Sequence, residues 1–165
     1  MSDAVDVFLG QWARERPDLD VSSMGIIGRM GRASQLLWRG VEEFLSGEGL
    51  ERWEFDVLGT LRRSGEPYSL TPKELVAMTM VGGAAMTNRV DRLVARGLVT
   101  REVDPDNRRR TLVTLTPEGL EVIDRAVGGH VANQERLLAA LDEGERERLA
   151  AVLRKLLVSL GDTLD

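Results

Sequence analysis

The sequence predicts a mainly α fold with one small β-hairpin, and three observations carry that expectation. Apolar residues recur at spacings of three and four along most of the 165 residues. Two short segments, Leu98–Val103 and Thr111–Leu115, flank the turn-forming run Asp104-Pro105-Asp106-Asn107. Two Thr-Pro steps, Thr71-Pro72 and Thr116-Pro117, each put a capping hydroxyl and a proline where a helix can begin.

In chain order, Val5 to Glu15 predicts a short amphipathic helix with Val5, Phe8, Leu9 and Trp12 on one face, closed by Pro17. A long helix follows from about Ser22 to Leu45, with Met24, Ile27, Met30, Leu37, Trp38, Val41 and Leu45 as its apolar face. Gly25, Gly28 and Gly31 repeat at spacing three on it. Each costs roughly 1 kcal/mol relative to alanine, so the pattern implies close approach of another helix, one from a second subunit among the candidates. Glu51 to Arg63 is a third helix with Phe55, Leu58 and Leu61 inward, and Ser64 to Pro67 is a turn. Thr71 as N-cap, Pro72 and Glu74 start a short helix that ends near Met78. Thr79-Met80-Val81 is the next turn, and a further helix runs from Gly82 or Gly83 to Gly97. After the hairpin, Thr116 starts a long helix with Leu120, Ile123, Val127, Val131, Gln134 and Leu138 at near-helical spacing. Asp142 with Glu145 caps a last helix bearing Leu149, Val152, Leu153, Leu156, Leu157 and Leu160. Helix, turn, helix, strand, Arg-rich loop and returning strand is the order of a winged helix-turn-helix, which places one helix in the DNA major groove.

This divides the chain into N-terminal helices (1–50), a winged region (51–116) and C-terminal helices (117–165), expected to act as one continuous domain. The apolar helices at both ends have no other obvious partner within the chain. No segment approaches a membrane span, and the N-terminus lacks the pattern of a signal peptide, so a cytoplasmic protein is expected. With no cysteine and one histidine, His130, the chain predicts no disulfide, no cofactor and no metal site. Neither a phosphate-binding glycine loop nor a nucleophile–base arrangement is present, so an enzyme is not expected.

A net charge of −5 looks wrong for a DNA binder until its distribution is considered. Val81 to Thr116 holds seven arginines against four acids, a local +3 that leaves −8 on the remainder. A positive face on an acidic body suits DNA binding with little non-specific adhesion. At about 100° per residue, Met86, Val90, Leu93 and Val94 form the buried face of the second reading-module helix, while Ala84, Asn88, Asp91 and Arg92 point away. Small residues allow close groove entry, and Asn can pair with adenine. The expected DNA-facing residues are Gly83, Ala84, Thr87, Asn88 and Arg92 on the helix, with Arg108, Arg109 and Arg110 on the loop. Arg89 lies at the border, about 85° from the centre of the apolar face, and can reach back toward the body.

The segments Leu70–Leu75, Ala85–Leu93, Arg96–Val99 and Asp104–Gly119 resemble the MarR family of bacterial transcription regulators. The resemblance implies a homodimeric repressor whose terminal helices interlock and whose two winged modules read a palindromic operator. Gln11 to Asp20 and Glu54 to Leu58 further resemble the urate-responsive HucR/PecS-like branch. That branch responds to its anionic ligand through a Trp on an added first helix, an Asp ahead of the reading module, an Arg on the recognition helix and an Arg on the first wing strand. Trp12, Asp56, Arg89 and Arg101 stand at those positions. There the recognition-helix Arg engages the ligand, the Asp is displaced by charge repulsion, and the helix leaves DNA. Two departures stand out: Gly82-Gly83 replaces the small polar pair common in the family, and Asn107 replaces the Asp that orients the wing arginine, here Arg109. Rival readings are a regulator answering a phenolic or other aromatic acid, and a winged helix used only for protein interaction.

Overall fold

The computed structural model describes residues 2–79 and 83–163, so Met80 and Val81 of the expected turn and Gly82, a candidate start of the next helix, lie outside the described residues. Seven helices and three strands are seen among them: α1 (Ala4–Glu15), α2 (Ser22–Gly47), α3 (Arg52–Arg63), β1 (Ser69–Leu70), α4 (Pro72–Thr79), α5 (Gly83–Ala95), β2 (Val99–Val103), β3 (Thr111–Leu115), α6 (Pro117–Leu137) and α7 (Glu143–Ser159). Every expected helix is present within a few residues. The strand β1 is too short to leave a periodic signal. It exists because β3 offers it an edge, pairing Ser69 with Thr114 and Leu70 with Val113. The resulting antiparallel sheet has the order β1-β3-β2.

Local chemistry explains the element starts. Asp3 accepts from the Val5 and Asp6 amides at the head of α1. In α4 the Thr71 amide donates to Glu74 while the Glu74 amide donates to the Thr71 hydroxyl, a reciprocal capping box. Asp142 and Glu145 repeat that exchange at α7. Gly97 ends α5 at φ +71°, a left-handed conformation that side-chain-bearing residues rarely adopt, and the Leu98 amide returns to the Leu93 carbonyl.

One apolar core joins α2, α3, α4, α5, the sheet and α6. Leu45, Leu58, Leu61, Leu75, Met86, Leu93, Val113 and Ile123 are fully buried in it. The Thr116-Pro117-Glu118-Gly119 segment fastens the wing to the body. The Thr116 hydroxyl donates to the Gly97 carbonyl at 2.7 Å and accepts from the Gly119 amide at 2.9 Å. Gly119 lies hard against the backbone of Leu98.

The close approach expected at the α2 glycine row is present, and the buried faces of α5 and α6 differ from the spacing pattern. The helix that approaches the glycine row of α2 is α1 of the same chain: a Cβ at Gly25 would meet Leu9 at 3.1 Å and one at Gly28 would meet Val5 at 3.4 Å, whereas Gly31 faces open space. On α6 the inward stripe is Gly119, Ile123, Ala126 and Asn133, while Val127 and Val131 are exposed. Close packing of Gly129 against Phe44 sets that rotation, and Asn133 is satisfied there by donating to the Gly40 carbonyl at 3.1 Å. Val94, expected inward on α5, is exposed, while its neighbour Leu93 is fully buried.

Apolar surface is left uncovered on the terminal helices: Phe8 and Trp12 of α1, Met24, Ile27 and Trp38 of α2, Val131 of α6, and Val152 and Leu157 of α7. No residue of α7 is buried. Between α2, α6 and α7 lies an apolar cavity of about 600 Å³, lined by residues that include Leu37, Trp38, Val131, Leu149 and Leu153. No described helix is long and apolar enough to cross a membrane.

Candidate nucleic-acid interface

The buried residues Met86, Val90 and Leu93 seat α5 on the core and turn its opposite side to solvent. Gly83, Ala84, Thr87 and Asn88 are all exposed on that side, in the first two turns. The Thr87 hydroxyl donates to the Gly83 carbonyl at 3.3 Å, and no side-chain hydrogen bond engages Asn88 among the described residues. A free amide near a helix start is suited to a base edge.

The wing is ordered by its own loop. Asp104 is buried and accepts from the Asp106 amide at 2.9 Å. The Asp104 amide donates to the Arg110 carbonyl, and the Arg110 amide to the Asn107 carbonyl. Asn107 Oδ1 accepts from the Arg109 backbone amide at 3.1 Å, so it shapes the turn and not the guanidinium that the sequence pattern assigned to it. Arg108 and Arg109 make no ion pair among the described residues and project from a fixed loop. Arg110 turns back, 3.8 Å from Glu74 and 3.9 Å from Asp104.

A second set of contacts, missed at the level of sequence, ties α5 to the start of α3. Arg89, Arg92 and Arg96 recur at i, i+3 and i+7 and so share one stripe. Arg92 Nη2 lies 2.5 Å from Glu51, whose other oxygen accepts from the Trp53 indole N–H at 2.7 Å. The guanidinium groups of Arg92 and Arg89 stand 4.6 and 5.7 Å from the Trp53 ring centre. Arg96 donates to Glu54, which is only 2% exposed, and to the Gly49 carbonyl. The i, i+3, i+7 spacing was visible in the sequence, but its partners lie 36 to 47 residues away.

The four expected ligand residues occupy separate places. Arg89 is half-buried against Trp53, as its border position requires. Arg101 on β2 pairs with Asp91 of α5 at 3.0 Å. Trp12 is exposed on α1. Asp56 is exposed on α3, close enough to His130 to act on it electrostatically. Among the described residues no ion pair, hydrogen bond or cation–π contact joins any two of the four.

His130 belongs to the body: its ring sits 4.7 Å from that of Phe55 and 6.3 Å from that of Phe44, and Nδ1 is buried without a hydrogen-bond partner. Burial pushes its pKa down, and the Asp56 carboxylate partly opposes this. The folded value therefore lies below that of the unfolded chain. As pH falls through about 6.5, the unfolded state takes up a proton the folded state resists, and stability drops. His130→Phe is expected to shrink the fall in melting temperature between about pH 7.5 and about pH 5.5. An unchanged fall in that variant would remove His130 from the acid response.

A reading helix exposed along its first turns, set beside an ordered arginine-bearing hairpin, defines a winged helix-turn-helix protein. The MarR family model matches residues 48–110. Among curated relatives, the HTH-type transcriptional regulator PecS of Dickeya dadantii is 40% identical over 143 residues, 87% of this chain and 86% of its own length. The chain belongs to the MarR family. Among solved structures it is similar to a mutant MarR from E. coli complexed with operator DNA, with a TM-score of 0.69 at 26% identity over 94% of this chain and 99% of that one. It is similar also to Bordetella bronchiseptica BpsR, described as regulated in its DNA binding by 6-hydroxynicotinic acid, with a TM-score of 0.69 at 28% identity over 84% and 95%. Relatives that include PecS, YetL and NicR are named as transcriptional regulators or repressors and not as enzymes.

Proposed function

We propose that two copies of the chain bind a palindromic operator, each through α5 in a major groove and its wing on the backbone, and repress transcription until a small planar anion of the urate type releases them. The observation that carries the DNA reading is the pairing of an unengaged Asn88 face on α5 with Arg108 and Arg109, which have no ion-pair partner among the described residues. Gly83, Ala84, Thr87 and Asn88 enter the groove, and Arg108 and Arg109 meet phosphate or the minor groove. Arg92 and Arg110 already face carboxylates and reach DNA only by exchanging them. The second copy covers the uncovered apolar residues of α1, α2, α6 and α7, of which Trp38 and Val131 line the cavity between α2, α6 and α7. A mutant MarR solved in complex with operator DNA, similar over 94% of this chain, supports the DNA reading.

The release arm rests on Arg89, Trp12, Asp56 and Arg101. A guanidinium at the α5–α3 boundary serves an anion well, and drawing it toward the body moves the reading helix with it. BpsR, with its response to 6-hydroxynicotinic acid, favours a second version in which the ligand is another aromatic acid. Titration of the duplex upstream of the protein's own coding region, at fixed salt, tests the proposal. Tight binding relieved by urate supports both arms, tight binding indifferent to urate leaves the aromatic acids, and no binding overturns the operator reading. Arg89→Ala is expected to retain DNA binding within a few-fold while losing the ligand response. Normal release in that variant would make Arg89 structural.

A further inference from the structure

Glu51 and Trp53 form a polar clasp on the arginine stripe of α5. Glu51 caps α3 and divides its carboxylate, one oxygen to Arg92 at 2.5 Å and the other to the Trp53 indole N–H at 2.7 Å. The indole N–H bond fixes the carboxylate's direction, and the ring itself lies beneath the Arg92 and Arg89 guanidinium groups. Both the Trp53 N–H and Arg92 hold the Glu51 carboxyl below its ordinary value, so it is fully charged at neutral pH. About half of the Arg92 and Glu51 side-chain surface remains open to water, so the pair adds little to folding. Its consequence lies in charge: Arg92, otherwise a third unpaired positive group on the reading face beside Arg108 and Arg109, is neutralised by a residue outside the reading module's second helix.

We propose that Glu51, oriented by Trp53, is a positioning residue that withholds Arg92 from the DNA backbone and thereby sets the strength and salt dependence of DNA binding. The proposal rests on α5 being the DNA-reading helix. A phosphate that takes Arg92 must displace the carboxylate. The freed Glu51 then attracts a cation, which offsets the counterion the phosphate gives up. The clasped arginine therefore contributes little to the salt slope, whereas an unclasped one contributes about 0.9 per phosphate neutralised. A phosphate contact carries no sequence information, so the clasp lowers affinity for operator and unrelated DNA alike.

The test is a salt titration of the full chain on the operator duplex and on an unrelated duplex of equal length. Glu51→Gln keeps an acceptor for the Trp53 N–H but removes the charge. It is expected to bind both duplexes roughly two- to fivefold more tightly at low salt and to steepen the slope by about 0.9 per subunit. Trp53→Phe, which removes the orienting N–H and keeps a ring, is expected to move both quantities in the same direction by less. In Glu51→Gln combined with Arg92→Met the gain disappears. Unchanged or weaker binding by Glu51→Gln, with an unaltered melting temperature, overturns the clasp while leaving the operator reading intact. A gain that survives Arg92→Met overturns it too, since the effect then comes from general charge and not from Arg92. If the unsubstituted chain binds neither duplex, the DNA reading fails and the clasp fails with it.

Discussion

Replacing Arg108 and Arg109 together by alanine is expected to cost about 100-fold or more in operator affinity at low salt. Each guanidinium meets phosphate or the minor-groove edge as a charge-assisted contact of about 1.5–3 kcal/mol. Neither is engaged by a carboxylate among the described residues, so both are available at no exchange cost. In a dimer four charges disappear, and the plot of log affinity against log salt becomes shallower by up to about 3.6. Loss should extend to unrelated duplexes, because the contacts are to the backbone. The loop that presents them is held by Asp104 and Asn107 through backbone contacts, so the double variant should melt as the parent does. Unchanged affinity and slope would sink the wing assignment. Arg110→Ala makes a useful comparison: with Glu74 and Asp104 already near it, its removal should cost less.

Gly119→Ala is expected to give the largest loss of stability of any glycine-to-alanine change among the described residues. A Cβ at that position would stand 1.9 Å from the Leu98 carbonyl oxygen and 2.9 Å from its carbon. Those are backbone atoms with no rotamer to yield, and the same carbonyl accepts from the Thr116 amide at 3.1 Å. Relief requires prising the root of β2 from the start of α6. We expect destabilisation of about 3 kcal/mol or more, which lowers the melting temperature by roughly 6–12 °C for a chain of this size. Since the same junction sets the wing on the body, DNA binding should weaken even at temperatures where the variant is folded. A melting temperature within a degree or two of the parent would mean that the junction is not close-packed.

What could be read directly from the chain were features whose physics is local. Thr71, Pro72 and Glu74 announce α4 because a cap acts over three residues, and Thr116, Pro117, Asp142 and Glu145 do the same for α6 and α7. Gly97 marks the end of α5 because a positive φ is a property of one residue. The wing hairpin is legible from its turn residues, and the seat of α5 from Met86, Val90 and Leu93. The border position of Arg89 follows from helical geometry alone. Where reading the chain erred or left a choice open, distant partners decided. The partners of Gly25 and Gly28, left open by the chain alone, are Leu9 and Val5 of α1, and the face of α6 is set by Phe44 against Gly129. Asn107 serves the turn because its side-chain oxygen accepts from the Arg109 backbone amide.

The sequence by itself determined the class of the protein: helix starts, helix ends, a hairpin and an arginine-bearing tip are short-range signals, and their order is specific. Only the tertiary structure decided which arginines are free to work. Arg89, Arg92, Arg101, Arg108, Arg109 and Arg110 look alike along the chain, each a cation near the reading helix. Folding sets Arg89 over the Trp53 ring, gives Arg92 to Glu51 and Trp53, Arg101 to Asp91 and Arg110 to Glu74, and leaves Arg108 and Arg109 with neither an ion-pair nor a cation–π partner among the described residues. The reason is physical: a charge's availability depends on what stands within about 4 Å of it, and for Arg92 and Arg110 that is set by the packing of α5 on α3 and of the wing on α4, not by neighbours in the chain.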